Sequence, residues 1–171
     1  FAVDMYGDGK EIPMSEARSM SGKIGSDFPL IEDRFNAALD IIKSSDKTDG
    51  DKIAAIGYCF GGGIVLNMAR MGTDIDGVVS YHGSLNTGLT AGPGDIQTKI
   101  LAFQGEGDPA APADRRSAFR QEMDEAGADY TYTIFEGVNA HNFTNPDGNS
   151  YYEKEAMMAW NDMLEFFEEI F

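Results

Sequence analysis

Apolar residues recur along this chain in two rhythms that take turns. Residues 13–23 are polar with scattered methionines and run toward Gly22 and Gly25, which predicts a short helix. Pro29 stands at a first helical position, and Leu30, Ile31, Phe35, Ala38, Leu39 and Ile42 recur at helical spacing, predicting an amphipathic helix over 29–44. A polar turn follows, then a short apolar strand over 52–57 and an apolar, buried helix over 60–71. The alternation continues with a strand at 77–81, a glycine-rich loop at 82–98, a strand at 100–104, and a helix at 113–126 closed by Gly127. Residues 130–135 alternate aromatic and β-branched side chains as a strand does, and 150–169 predicts a long helix with Ala156, Trp160, Met163, Leu164 and Phe167 on its apolar face. Residues 1–6 read as a strand end before the turn Gly7-Asp8-Gly9. Strand and helix in turn predict an α/β fold, a mostly parallel sheet flanked by helices. No linker or repeat divides the chain, so 1–171 is expected to be a single domain. An opening inside a strand predicts further sequence upstream, and hence an N-terminally incomplete sheet.

Composition narrows the function. With 42% hydrophobic and 11% aromatic residues in 171, the chain is no disordered acidic tail. Its net charge of −16, from 29 acidic and 13 basic side chains, argues against nucleic acid and against an anionic membrane surface as partners. No apolar run reaches the ~18 residues of a membrane-spanning helix, and no signal-peptide pattern is present, so a cytoplasmic protein is expected. The single cysteine, Cys59, excludes an intrachain disulfide and a multi-cysteine zinc site, and two histidines, His82 and His141, leave few ligands for a histidine-rich metal centre. Neither a metal nor an organic cofactor is expected.

The stretch Ile53-Ala54-Ala55-Ile56-Gly57-Tyr58-Cys59-Phe60-Gly61-Gly62-Gly63 runs from an apolar strand through Gly-x-Cys-x-Gly-Gly into a helix. A nucleophile held at a sharp strand-to-helix turn needs small residues two positions either side, which Gly57 and Gly61 supply. The helix N-terminus behind Cys59 favours a thiolate and offers backbone N–H groups to a developing oxyanion. Two other readings stand beside this one. Cys59 could be a small buried hydrophobe whose glycines let helix and strand pack closely. Gly57-x-x-x-Gly61-x-Gly63 also matches a dinucleotide loop, but the catalytic Tyr-x-x-x-Lys of such an enzyme belongs far downstream, and here the pattern occurs only at Tyr6 to Lys10.

An elbow nucleophile in an α/β sheet is followed in sequence by an acid and then a histidine. Asp108 lies in Gly105-Glu106-Gly107-Asp108-Pro109 after one predicted strand, and His141 in the loop after the next. Glu106 and Asp114 compete with Asp108 for the acid role. His82 follows the strand at 77–81 but precedes the acid, which ranks it as pocket lining rather than base.

These segments resemble the dienelactone hydrolase family of α/β-hydrolases. The matching stretches are Asp4-Met5-Tyr6-Gly7, Ile56 to Gly62, Gly105-Glu106-Gly107-Asp108 and His141-Asn142-Phe143-Thr144-Asn145-Pro146. The resemblance implies Cys59 as nucleophile, Asp108 as acid, His141 as base and the Phe60 N–H as one oxyanion donor. It also implies Tyr6, Asp8, Tyr58, His82 and Asn145 as substrate-binding residues. In the best-known members, arginines that hold a substrate carboxylate lie two residues after that tyrosine and four after the histidine; here Asp8 and Asn145 take those places. The implied substrate is therefore a small ester, lactone or thioester, neutral or cationic rather than anionic. A catalytically impaired fragment acting as a binding or partner-dependent module is the alternative, and the oligomeric state is left open.

Overall fold

The computed structural model describes residues 1–171, apart from the side chain of Met14. They form two compact units, 1–53 and 54–171.

In the first unit the expected opening strand is not formed. The Asp4 carboxylate accepts the backbone N–H groups of Tyr6 (2.9 Å), Gly7 (2.9 Å) and Gly9 (2.8 Å), which curls the segment into consecutive turns. A strand would have spent those donors on a neighbouring chain. Arg34 Nη1 donates to the Met5 carbonyl at 2.6 Å and ties the turns to the second of two helices. These are α1 (Met14–Gly25) and α2 (Phe28–Lys43). Asp27 caps α2 by accepting the Leu30 N–H, Pro29 occupies its first turn, and Ile31, Phe35 and Ala38 are its buried residues.

The second unit is a four-stranded sheet with sequential order β1-β2-β3-β4. The strands are β1 (Ala54–Tyr58), β2 (Gly77–Tyr81), β3 (Lys99–Gly105) and β4 (Tyr130–Phe135), and every pair is parallel. The helices between and after them are α3 (Phe60–Arg70), α4 (Ala113–Ala126) and α5 (Glu153–Ile170). β1 begins two residues later than predicted, because Lys52 N–H donates to the Asp49 carbonyl and holds that residue in the preceding turn. α5 begins three residues later, since the Tyr152 N–H is taken by the Phe143 carbonyl.

Neighbouring residues of β2 show how the layers form. Ser80 Oγ donates to the Gly62 carbonyl of α3, whereas the Tyr81 hydroxyl donates to the Ala159 carbonyl of α5. Successive strand residues point to opposite faces, so α3 and α5 cover opposite sides of the sheet. On the α5 side Val79, Tyr81, Leu101, Phe103, Phe135, Phe143, Ala159 and Met163 form one buried cluster. Burying one such side chain contributes about 1.5–3 kcal/mol. The expected apolar face of α5 holds at Met163 and Phe167, which pack on that cluster, but Trp160 and Leu164 are 49% and 45% exposed, and Ala159 joins Met163 in the contact. Small residues decide that face, since Gly77 lies where any Cβ would strike Phe166 and Ile170.

The loop between β2 and β3 is tied down by a buried ion pair. Arg70 Nε and Nη2 donate to the two Glu122 oxygens at 2.7 and 2.9 Å, and Nη2 also donates to the Leu85 carbonyl at 2.8 Å. The Ala91 N–H donates to Glu122 Oε1 at 3.0 Å. No helix among the described residues is long and apolar enough to cross a membrane.

Candidate active site

Parallel pairing brings the C-terminal ends of all four strands to one edge, and the chemistry-bearing residues follow those ends. Cys59 comes directly after β1, with φ 49° and ψ −113°. Its N–H donates to the Tyr81 carbonyl at 3.0 Å, while its own carbonyl accepts the Gly63 N–H at 3.2 Å and starts α3. A non-glycine residue held at such a backbone angle costs about 1–3 kcal/mol, which surrounding contacts must offset. Gly57 is needed for the turn, because a Cβ there would run into the Gly61 carbonyl. Gly61, expected to be needed as well, is less constrained: a Cβ on it would meet nothing within 4 Å. Phe60, the expected oxyanion donor, is the first residue of α3.

Asp108 and His141 are joined as expected. His141 Nδ1 lies 2.9 Å from Asp108 Oδ2, in the loop after β4 and the turn after β3 respectively. Asp108 is 2% exposed, and its other contacts also come from donors: the Ala110 N–H reaches Oδ1 at 2.7 Å and Gln104 Nε2 donates to Oδ2. Burial pushes this carboxyl upward, but the hydrogen bonds from His141, Ala110 and Gln104 outweigh it and leave the net shift downward. The Asp108 hydrogen bond, then the hydrogen bond to Cys59, pushes His141 up to about 10 against the opposing effect of burial. Glu106, the competing acid, instead accepts the Gly137 N–H at 3.0 Å.

His82 was expected to line the pocket and lies closer to the sulfur than that. Its Nδ1 is 3.4 Å from Cys59 Sγ, and its Nε2 is 2.8 Å from Thr144 Oγ1. Buried at 2% exposure, with φ 42°, it is pushed down to about 4 by burial first and by the His141 charge second. The two imidazoles stand edge to face with centroids 5.3 Å apart. The ligating atoms of Cys59, His82 and His141 all lie within 4.8 Å of one another, a set of one sulfur and two nitrogens.

The remaining expected residues are distributed as follows. Tyr58 stacks on Tyr81 at 4.5 Å, and with Thr144, Tyr151, Met157 and Trp160 it lines a cavity of about 250 Å³ beside the site. Asn145 is exposed, and its Oδ1 accepts the Asp147 N–H at 3.0 Å within its own turn. Tyr6 and Asp8 belong to the first unit, where Asp8 pairs with Lys10 at 3.2 Å. Two further residues hold the site without any motif to mark them: Gln104 donates to Asp108, and Thr144 partners His82. The place of His82 was available from the register: Tyr58 pairs with Tyr81, so the next residues on the two parallel strands, 59 and 82, are neighbours.

A parallel sheet with a cysteine elbow after one strand and an Asp–His pair after two later ones is the architecture of an α/β-hydrolase, and solved structures agree. The dienelactone hydrolase-like promiscuous phosphotriesterase P91 from metagenomic libraries superposes with a TM-score of 0.87 at 28% identity, covering 99% of this chain and 74% of that one. A second solved chain, m3DLH, gives a TM-score of 0.88 at 30% identity with the same two coverages. The chain belongs to the dienelactone hydrolase family, whose model matches residues 1–171. The uncharacterized protein K02A2.1 of Caenorhabditis elegans is 31% identical over 151 residues, 82% of this chain and 94% of that protein.

Proposed function

We propose that this chain is one hydrolase domain that cleaves a small ester, lactone or thioester through an acyl-cysteine intermediate. The observation that carries the reading is the hydrogen bond between buried Asp108 and His141, whose ligand atom lies within 4.8 Å of the Cys59 sulfur at the elbow. Asp108 fixes the His141 ring with Nδ1 facing the carboxylate, which turns Nε2 toward the sulfur. The Cys59 thiolate attacks the substrate carbonyl carbon, and the oxyanion accepts a hydrogen bond from the Phe60 N–H. The C–O or C–S bond breaks as His141 gives its proton to the leaving alcohol or thiol. His141 then takes a proton from water, the hydroxide attacks the thioester, and Cys59 leaves as thiolate. Family membership supports a small ester as the substrate class.

With Asn145 rather than a cation four residues after His141, neutral or cationic esters are favoured over carboxylates. Hydrolysis of an activated aryl ester tests the assignment. His141→Ala lowers kcat by about 10²–10⁴, and Cys59→Ala by at least as much; wild-type turnover in both variants sinks it. Exposed Ile56 and Tyr58 on β1 favour one other reading, a module that binds through this face. It predicts no turnover at all.

A further inference from the structure

The two histidines and the cysteine form a donor set of their own, whatever the site hydrolyses. One thiolate sulfur and two imidazole nitrogens suit zinc-type cations and do not suit magnesium or calcium, which take oxygen ligands. Zinc bonds of about 2.3 Å to sulfur and 2.0–2.1 Å to nitrogen give ligand–ligand edges of about 3.3–3.6 Å in a tetrahedron. Cys59 Sγ and His82 Nδ1 already stand 3.4 Å apart, and all three ligand atoms lie within 4.8 Å.

The outer contacts point the same way. A ligating imidazole is held by a partner on its other ring nitrogen. His82 has Thr144 Oγ1 at 2.8 Å on Nε2, leaving Nδ1 toward the sulfur. His141 has Asp108 Oδ2 at 2.9 Å on Nδ1, leaving Nε2 for the same point. Cys59 and His141 are only partly buried, so an ion has access and a fourth position stays open to water.

We propose that Cys59, His82 and His141 together bind one zinc-type divalent cation, and that its binding reversibly shuts the hydrolytic site. Binding releases to solvent the proton that the Cys59–His141 pair carries, from the thiol or from Nε2 of the imidazolium, and occupies the electron pairs that both groups need for catalysis. The inhibitory consequence rests on the hydrolase reading; the binding does not.

Cobalt titration and thiol protection test it. Cobalt is expected to give a thiolate-to-metal absorption that saturates at one equivalent, disappears in Cys59→Ser, and is displaced by zinc. With one cysteine in the chain, that band has a single source. His82→Gln is expected to weaken cobalt binding at least about tenfold. In the wild type, zinc slows alkylation of Cys59 by iodoacetamide, magnesium does not, and a chelator restores the rate. Equal alkylation rates with and without saturating zinc overturn the proposal, as does cobalt binding unchanged in both His82→Gln and His141→Gln. Zinc protection in a chain that hydrolyses no ester keeps the metal site and removes the hydrolase reading. Ester hydrolysis through Cys59 without zinc protection does the reverse.

Discussion

Two histidines reach the same sulfur from different corners of the sheet edge, and their surroundings give them opposite characters. His82 leaves β2 buried, with a neutral hydroxyl at its far nitrogen, and is pushed down to about 4, chiefly by burial. His141 leaves the end of β4 half-exposed, with a carboxylate at its far nitrogen, and is pushed up to about 10, chiefly by that carboxylate. Near neutral pH the first is an uncharged imidazole and the second an imidazolium. In the proposed reaction, the partner behind the ring, rather than distance to the sulfur, assigns the proton exchange with Cys59 to His141. His82 acts instead as a fixed, neutral neighbour.

Exchanging those partners breaks the comparison most severely on the His141 side. Asp108→Asn keeps the shape of the corner but removes the charge and the preference for one tautomer, and turnover of an activated ester falls by about 10⁴. A fall of less than tenfold would mean that the carboxylate does not orient the base. The matching change behind His82 is much milder. Thr144→Val removes one neutral hydrogen bond, costs about 0.5–1.5 kcal/mol in a denaturant titration, and leaves turnover within about tenfold of wild type. A loss as large as that of Asp108→Asn would give the two histidines equal standing.

Much of this arrangement was legible in the sequence. The bounds of β2 and β4 follow from their short β-branched and aromatic runs, and the end of α4 from the left-handed cap at Gly127, φ 70°. The order Cys59, Asp108, His141 was readable because each residue follows its own strand. Three features were hidden, each for a physical reason. Residues 1–6 carry strand-like side chains, but three backbone donors turn onto the Asp4 carboxylate, a local competition that apolar patterning does not register. α5 is apolar on more than one side, with Met157, Met158, Trp160 and Leu164 exposed, so periodicity grouped Met163 with Trp160 and Leu164 and passed over Ala159. The contact of His82 with Cys59 depends on the β1–β2 register, whereas sequence order, in which His82 precedes the acid, ranks it only as pocket lining.

The opposed titrations also set the stability profile. His141, raised when folded, contributes stability that is whole below pH 6.5 and is lost as pH rises toward 10. His82, lowered when folded, lets the unfolded chain take up its proton first, so stability also falls as pH drops from 6.5 toward 4. The direct measurement is an NMR titration of the imidazole ring protons, which two histidines make simple to assign. The account predicts one ring titrating near 4 and the other near 10, with the upper transition moving back toward 6.5 in Asp108→Asn. Two rings titrating together near 6.5 would contradict it.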